Sequence, residues 1–596
     1  MAETVGDYIL ERLGEWGVKR IYGYPGDGIN GLMGALGRAE DRFDYVRVRH
    51  EEMAAFMACA HAKFTGEVGV CMATSGPGAI HLLNGLYDAR MDHMPVLAIV
   101  GQSARSVIGS DYQQEVDLHV LFKDVAGYVE TLVSPLQVRH VVDRAMRIAA
   151  AERTVTCIVA PNDLQVAKAM PRPERAHGTV VSGTGYAPAH PVPLDAELHK
   201  AAEILNAGSK VAILAGAGAL RAGPQVEEVA ERLGAGVAKA LLGKAALPDD
   251  LPYVTGSIGL LGTAASWELM NDCDTLLMIG TTFPYSEFLP EEGKARAVQI
   301  DLFPRNVSMR YDTDVNLIGD AAVVLDMLLP LLKRKDNADW RERVELNVRK
   351  TWRALEAKAM EPADPINPQR VFWELSPRLP DRAILCGDSG SHTNWYARDV
   401  RLRRGMQASL SGKLATMGSG VPYAIGAKMA YPDRPVLAIV GDGAMQMNGN
   451  GELLTVKQYW QRWSNPCFVV MVLVNHDLNQ VTWEQRALAG DPKFEPSQRV
   501  VDFSYVDYAR LLGFEGIRVD DPEHIAEGWE RAFAAQRPVL IEFHTDPDVP
   551  PLPPHITWEQ ARAYMTALAK GDPDEGGIIR NTLRQALAGI FPGHGD

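Results

Sequence analysis

No stretch of this 596-residue chain reaches 18 consecutive uncharged apolar residues, so nothing in it is read as a membrane-spanning helix. Basic residues are in deficit: 60 Lys and Arg stand against 75 Asp and Glu, a net charge of −15. Binding a phosphate backbone needs clustered Lys and Arg, so a general nucleic-acid binder is excluded. A small anionic cofactor held by a local site is not. Cysteine is scarce: Cys59, Cys71, Cys157, Cys273, Cys386 and Cys467 are scattered, with no C-x-x-C pair. Several lie in apolar runs, as expected of buried reduced thiols in a cytoplasmic protein rather than of disulfides or zinc. The opening stretch MAETVGDYILERLGEWG has acids, no basic n-region and no long apolar core. It is read as an amphipathic helix and not as a signal peptide.

With 46% hydrophobic and 23% charged residues, the chain is composed like a soluble globular protein too long for one core. Its first part alternates helix and strand signals: RIYGYPG, DYVRVRH, VGVCMATSGPG and PVLAIVGQ read as strands, EEMAAFMACAHAKFTG as a helix. The stretch YAPAHPVPLD (186–195) reads as a linker. A second α/β unit carries KVAILAGAGA, DTLLMIGTTFPYSEF and ARAVQIDLFP, and the charged stretch LLKRKDNADWRERVELNVRKTWRALEAK reads as a helix leading out of it. A third unit opens at ADPINPQ, with strands in AILCGDSG, PVLAIVGDG, CFVVMVLVN and PVLIEFHTD. The expectation is an α/β protein of three doubly wound parallel-sheet domains, over residues 1–180, 190–335 and 360–548, with a tail over 549–596. Ligands in such sheets sit beyond the carboxyl ends of the strands.

Two of those ends carry oxygen. The run PVLAIVGDG stops at Gly441-Asp442-Gly443, and CFVVMVLVN stops at Asn475. Carboxylate and amide oxygens are hard donors that suit Mg²⁺ or Ca²⁺ better than zinc. Mg²⁺ takes a few protein oxygens and fills its shell with water and phosphates. Gly441 and Gly443 permit a sharp turn, and the segment after Gly443 reads as a helix whose first N–H groups can meet a phosphate. No G-K-[ST] follows, so this is not a P-loop. Alone, GDG is equally a simple βα turn.

Gly441-Asp442-Gly443 with a downstream strand-end Asn resembles the thiamine-diphosphate motif of the pyruvate oxidase, pyruvate:quinone dehydrogenase and acetolactate synthase superfamily, pyruvate oxidase most closely. The resemblance implies Mg²⁺ held by Asp442, the Asn475 side chain and the Asp477 carbonyl, bridging the cofactor's diphosphate. RVRHEEMAAFMACAHAKFTGEVGVCMATSGPGAIHLLNGLYDARMDHMPVLAIVGQ resembles the family's pyrimidine-binding domain. Glu51 matches the glutamate at the aminopyrimidine ring, where a carboxyl group favours the imino tautomer that serves as an internal base. Asn84 matches a residue at the pyrimidine edge, and Phe122 one near the substrate pocket. Pro25, Gly26 and Thr74 are implied cofactor contacts. In SGKLATMGSG, Thr416 and Met417 match the cofactor-wedge segment. Gly387, Asp388, Gly390, Ser391 and His392, with Gly441, Gly443 and Ala444, match the diphosphate loops. His81 and His93 are left open between core and site.

The central stretch, with IGTTFPYSEFLP, VQIDLFPRN and LIGDA, is similar to the FAD-binding domain of pyruvate oxidases. That implies FAD contacts at Gly216, Gly218, Gly280, Thr281, Phe283, Asp301 and Asp320. Leu242 stands where flavin-binding relatives place Arg. Val474 and Asn479 depart from the motif's usual first Asn and Gly.

The implied activity is oxidative decarboxylation of pyruvate or a similar small 2-oxo acid, with electrons to FAD and then to quinone or oxygen. Glu484 matches an active-site acid. The alternatives are acetolactate synthase-like carboligation, for which the tryptophan of VTWEQ speaks, non-oxidative decarboxylation, and an inactive relative with a binding role. Glu51, Asp442 and Asn475 speak against the last. The resemblance implies a homodimer or homotetramer, Glu51 of one chain facing Asp442 and Asn475 of another. In GGIIRNTLRQALAGIF, Ile578, Ile579, Leu583, Ala586, Leu587, Ile590 and Phe591 fall largely on one helical face. That face either packs on the protein or makes peripheral contact with a membrane at its inner face.

Overall fold

The structure, a computed structural model, describes residues 2–171, 174, 176–335, 338–551, 553 and 558–590. Its strands form three six-stranded sheets, parallel throughout their assigned ladders. The first holds β1 (Arg20–Gly23), β2 (Asp44–Arg47), β3 (Gly69–Ala73), β4 (Val96–Gln102), β5 (Tyr128–Thr131) and β6 (Val155–Pro161). The second holds β7 (Val211–Ala215), β8 (Gly236–Lys239), β9 (Val254–Ser257), β10 (Thr275–Ile279), β11 (Arg296–Asp301) and β12 (Val315–Ile318). The third holds β13 (Ile384–Gly387), β14 (Gln407–Ser409), β15 (Val436–Gly441), β16 (Phe468–Val474), β17 (Glu515–Val519) and β18 (Val539–His544). The α/β expectation of three doubly wound parallel sheets therefore holds.

Why these segments form strands is plain in their burial. Every residue of β4 and β16 is buried, because helices cover both faces of a parallel sheet, so the sequence runs apolar without alternation. Sequence reading left out β5, β6, β8, β9, β12, β14 and β17. Five of these seven are edge strands, shorter or only partly buried, and so without a long apolar run.

Strand order is the informative feature. The first sheet runs β2-β1-β3-β4-β6-β5 and the third β14-β13-β15-β16-β18-β17, the same winding executed twice. The middle sheet runs β12-β11-β10-β7-β8-β9, which is the dinucleotide-binding order. In the two like sheets the chain leaves strand one for strand two and returns to strand three on the other side. The switch points lie between β1 and β3 and between β13 and β15.

By internal contacts the chain forms two compact units, one of residues 1–189, 410–438 and 445–466, the other of 190–409, 439–444 and 467–596. In the first unit the Glu51–Thr65 and Gly420–Ala430 helices pack closely. A Cβ on Gly426 would stand 2.9 Å from the Met57 carbonyl oxygen, so glycine is what lets the backbones approach. In the second unit the C-terminal helices Trp558–Ala569 and Glu575–Ile590 bring Leu568 and Ile578 against Trp483. Arg486, at 1% side-chain exposure, forms a two-toothed ion pair with Asp572, Nε and Nη2 each donating at 2.8 Å. The side chains of Leu583, Ala586, Leu587 and Ile590, and Phe591 itself, lie outside the described residues, so the apolar face is described only at Ile578 and Ile579.

All six cysteines are buried and none is in a disulfide. No described helix is long and apolar enough to cross a membrane.

Candidate cofactor site

β13 ends at Gly387 and runs into the loop Asp388–Ser391 and the His392–Asp399 helix. β15 ends at Gly441 and turns into helix at Asp442 itself, one residue before Gly443, followed by a π-helical turn over Met445–Gly449. These two strands flank the switch point, and their ends touch. Asp388 N–H donates to the Ile439 carbonyl at 2.9 Å. A Cβ on Gly441 would lie 3.2 Å from His392 Nδ1, and one on Gly390 2.9 Å from its Cε1. The His392 ring thus fills the space two glycines leave. It is 2% exposed, and burial holds its pKa down at about 4, so it is neutral at pH 7. Its Nε2 is buried without a hydrogen-bond partner.

Asp442 sits 3% exposed at the head of this turn. Its Oδ2 accepts the N–H groups of Asn475 (3.0 Å) and His476 (2.7 Å), and its Oδ1 accepts that of Gly443 (2.8 Å). His476 lies in the left-handed region at φ 56°, a strained conformation for a non-glycine. Burial pushes the Asp442 carboxyl up to about 6 against the pull of those three bonds. Asn475 Oδ1 accepts the Asp477 N–H at 3.1 Å. The Asp477 side chain is engaged by Thr482 (3.0 Å), Asn479 (3.2 Å) and Lys493 (3.3 Å). Asn479 also donates to the Pro547 carbonyl at 2.9 Å.

A buried carboxylate of raised pKa beside an amide oxygen is a donor set a hard divalent cation would relieve. The buried Nε2 of His392 lies at the same switch point. The residues present fit a Mg²⁺–diphosphate group.

In the other unit Glu51 opens the Glu51–Thr65 helix, with His50 as N-cap. It is 8% exposed, and its Oε2 lies 2.9 Å from His81 Nδ1. The His81 ring stacks on His50 at 4.3 Å. His50, Glu51 and His81 bring three donor atoms together among the described residues. However, His50 Nδ1 accepts the Glu52 N–H at 3.3 Å, and stacked rings aim their lone pairs side by side rather than at one point. Asn84 Nδ2 donates to Glu52 Oε1 (2.5 Å) and Thr416 Oγ1 (3.0 Å). Met417, half-buried, lies between Ala415 (φ 51°) and Gly418 (φ 97°), both left-handed. At the β1/β3 switch point a Cβ on Gly26 would stand 2.5 Å from Thr74 Cβ, and the Gly28 N–H donates to Thr74 Oγ1 at 3.0 Å. Pro25 precedes this contact, in the same loop.

In the middle sheet Gly216 and Gly218 follow β7 and Gly280 follows β10. The Gly218 N–H donates to the Gly280 carbonyl at 3.0 Å, and a Cβ on Gly216 would stand 2.4 Å from that carbonyl oxygen. These glycines let two strand ends meet at the dinucleotide switch point. Thr281 Oγ1 accepts the Phe283 N–H (3.2 Å), Asp301 Oδ1 accepts the Phe303 N–H (2.9 Å), and Asp320 caps the Ala321–Leu328 helix.

Phe122 is fully buried at the end of the Leu118–Phe122 helix. Glu484 is exposed and accepts from Gln480 at 2.9 Å. Ala444 is buried. Three residues that sequence reasoning did not assign take part: His81 at Glu51, Tyr505, whose hydroxyl donates to the Asp442 carbonyl at 3.2 Å, and Lys493. None has a local signal, since each partner is distant in sequence. Trp483, 5% exposed, stacks on Tyr564 at 5.7 Å, so it anchors the C-terminal helices.

Two sheets of identical winding, one presenting a helix-opening glutamate and the other a carboxylate–amide turn at its switch point, describe an enzyme that uses thiamine diphosphate. The models for thiamine pyrophosphate enzymes match this chain three times: the N-terminal TPP binding domain over residues 3–121, the central domain over 198–328 and the C-terminal TPP binding domain over 388–543. The chain belongs to this family. It is 32% identical over 589 residues to YdaP of Bacillus subtilis (strain 168), described as a thiamine pyrophosphate-containing protein, covering 99% of this chain and 100% of that one. It is 31% identical to the pyruvate oxidase of Lactiplantibacillus plantarum, over 90% of this chain and 88% of that one. It is 31% identical to the acetolactate synthase isozyme 3 large subunit of Escherichia coli (strain K12), over 90% and 93%.

Proposed function

We propose that this enzyme oxidatively decarboxylates pyruvate or a similar small 2-oxo acid, with FAD and then quinone or oxygen as electron acceptors. The observation that carries the reading is the middle sheet. It has dinucleotide order, and its β10 runs into Gly280, Thr281 and Phe283 at the switch point. The similarity to a pyruvate oxidase supports it.

Thiamine diphosphate, when bound, supplies a carbon nucleophile and an electron sink for loss of CO₂ from a 2-oxo acid. FAD, when bound, supplies the two-electron acceptor that separates oxidation from carboligation. Asp442, Asn475 and the Asp477 carbonyl would hold Mg²⁺. Neutral His392, wedged between Gly390 and Gly441, would shape the loop that receives the diphosphate. Gly216, Gly218, Gly280, Thr281, Phe283, Asp301 and Asp320 would hold FAD. Glu51, oriented by His81, would be the carboxyl group at the pyrimidine edge. We assign Glu51 of one copy and the Asp442 turn of another to each cofactor, in a homodimer or homotetramer. Glu484 and Phe122 are assigned to the substrate side.

A second reading, carboligation, is favoured by Leu242, half-buried in the Leu241–Gly243 turn, where a flavin would be met by Arg, and by the similarity to acetolactate synthases. The absorption spectrum of purified protein, before and after anaerobic pyruvate, separates the two. Flavin bands that bleach support oxidation; a colourless protein that forms acetolactate overturns it. A quinone acceptor would require membrane contact from a cytoplasmic enzyme, which flotation with liposomes, with and without residues 574–596, tests.

A further inference from the structure

Asn84, Asp88 and Asp92 recur every fourth residue, on one face of the Leu83–Met91 helix and its C-cap Asp92. Each reaches the same distant segment. Asn84 donates to Thr416 Oγ1 at 3.0 Å. Asp88 accepts from the hydroxyl of Tyr423, in the helix that follows Met417. Asp92 accepts the Gly412 N–H on Oδ2 and the Lys413 N–H on Oδ1, each at 2.9 Å. Lys63 Nζ bridges Asp92 Oδ2 and the Leu410 carbonyl, at 2.6 Å to each. Asp88 is 0% and Asp92 5% exposed. Between these anchors the chain carries Ala415, left-handed at φ 51°, a shape that for a residue with a Cβ persists only where surroundings over-determine it.

We propose that Asp92, together with Lys63, is a positioning residue that presets the Leu410–Met417 loop, so that Thr416 and Met417 are in place before thiamine diphosphate arrives. This rests on the reading of Thr416 and Met417 as cofactor contacts. Two backbone N–H groups and an ammonium converge on one carboxylate. Such charge-assisted bonds are the strong ones, and a loop ordered in advance spares the cofactor the cost of ordering it. Asp92 touches no reacting group in this scheme.

The test is the apparent Kd for thiamine diphosphate with Mg²⁺, followed by tryptophan fluorescence and by the near-ultraviolet circular dichroism of the bound cofactor. Three variants are compared with the parent. Asp92→Asn removes one charged oxygen. Lys413→Pro removes the N–H that Asp92 Oδ1 accepts and fixes the backbone at an exposed loop position. Asp143→Asn disturbs an equally buried carboxylate, bonded to Arg12 at 2.6 Å, remote from the loop. The first two should raise Kd by about tenfold or more and weaken the dichroic band of the bound form. Asp143→Asn should lower thermal stability and leave Kd unchanged. If Asp92→Asn and Lys413→Pro bind like the parent, Asp92 is not a positioning residue. A parent protein that binds no thiamine diphosphate overturns instead the reading of Thr416 and Met417, and this inference falls with it.

Discussion

His392 lies over Gly441: a Cβ added to the glycine would stand 3.2 Å from the ring's Nδ1. Two strand ends on either side of a switch point are thereby keyed together by one imidazole. Gly441→Ala should push the ring by a few tenths of an ångström. The expected result is a Kd for thiamine diphosphate raised about tenfold, with stability changed by only about 1 kcal/mol. Isothermal titration and thermal unfolding measure the two separately.

Glu51→Gln keeps the size of the side chain and its helix-opening position while removing the carboxyl proton chemistry. CO₂ release from pyruvate should fall by about 10²- to 10⁴-fold, while thiamine diphosphate affinity stays within about tenfold. A variant as active as the parent would remove Glu51 from the mechanism.

Glu452 is 1% exposed and accepts the Arg49 N–H at 2.7 Å, two residues before Glu51. Burial pushes its carboxyl up to about 7 from 4.5. Its folded pKa is raised, so its contribution to stability is fully present below about pH 4.5 and is lost as pH rises through about 7. Glu452→Gln does not titrate and keeps an acceptor for Arg49. The variant should therefore gain on the parent as pH rises from 5 to 8, by at most about 3 kcal/mol. Denaturant unfolding at both pH values measures it, and an equal gap at the two would contradict the assignment.

Asp572→Ala leaves the Arg486 guanidinium buried with only Asp574, at 2.8 Å, for a partner. Breaking a buried pair from one side costs about 3–5 kcal/mol, less here because Asp574 remains. The C-terminal helices should become susceptible to limited proteolysis, and deletion of residues 574–596 should lower the melting temperature, since Ile578 is buried in the protein.

Much of the architecture was legible because parallel sheets bury both strand faces. β4, β15 and β16 appear as continuous apolar runs, and the polar residue that ends each run marks the switch-point side. Asp442 and Asn475 were visible for that reason. β5 and β14 were not, since partly exposed edge strands such as YVET and QAS have no apolar signature. The four-residue spacing of Asn84, Asp88 and Asp92 is plain in the sequence. Its meaning is not, because the partner segment begins 320 residues away, at Gly412. The pairing of Glu51 with His81 is likewise a product of folding, joining a helix start to a residue 30 positions on.

The central claim is redox chemistry on a 2-oxo acid, and the most direct measurement is an anaerobic absorption spectrum of the protein loaded with thiamine diphosphate and Mg²⁺, recorded as pyruvate is added. The account predicts flavin bands that bleach with release of CO₂ and return on admitting quinone or oxygen. A spectrum without flavin, or flavin bands unmoved while pyruvate is converted to acetolactate, would contradict it.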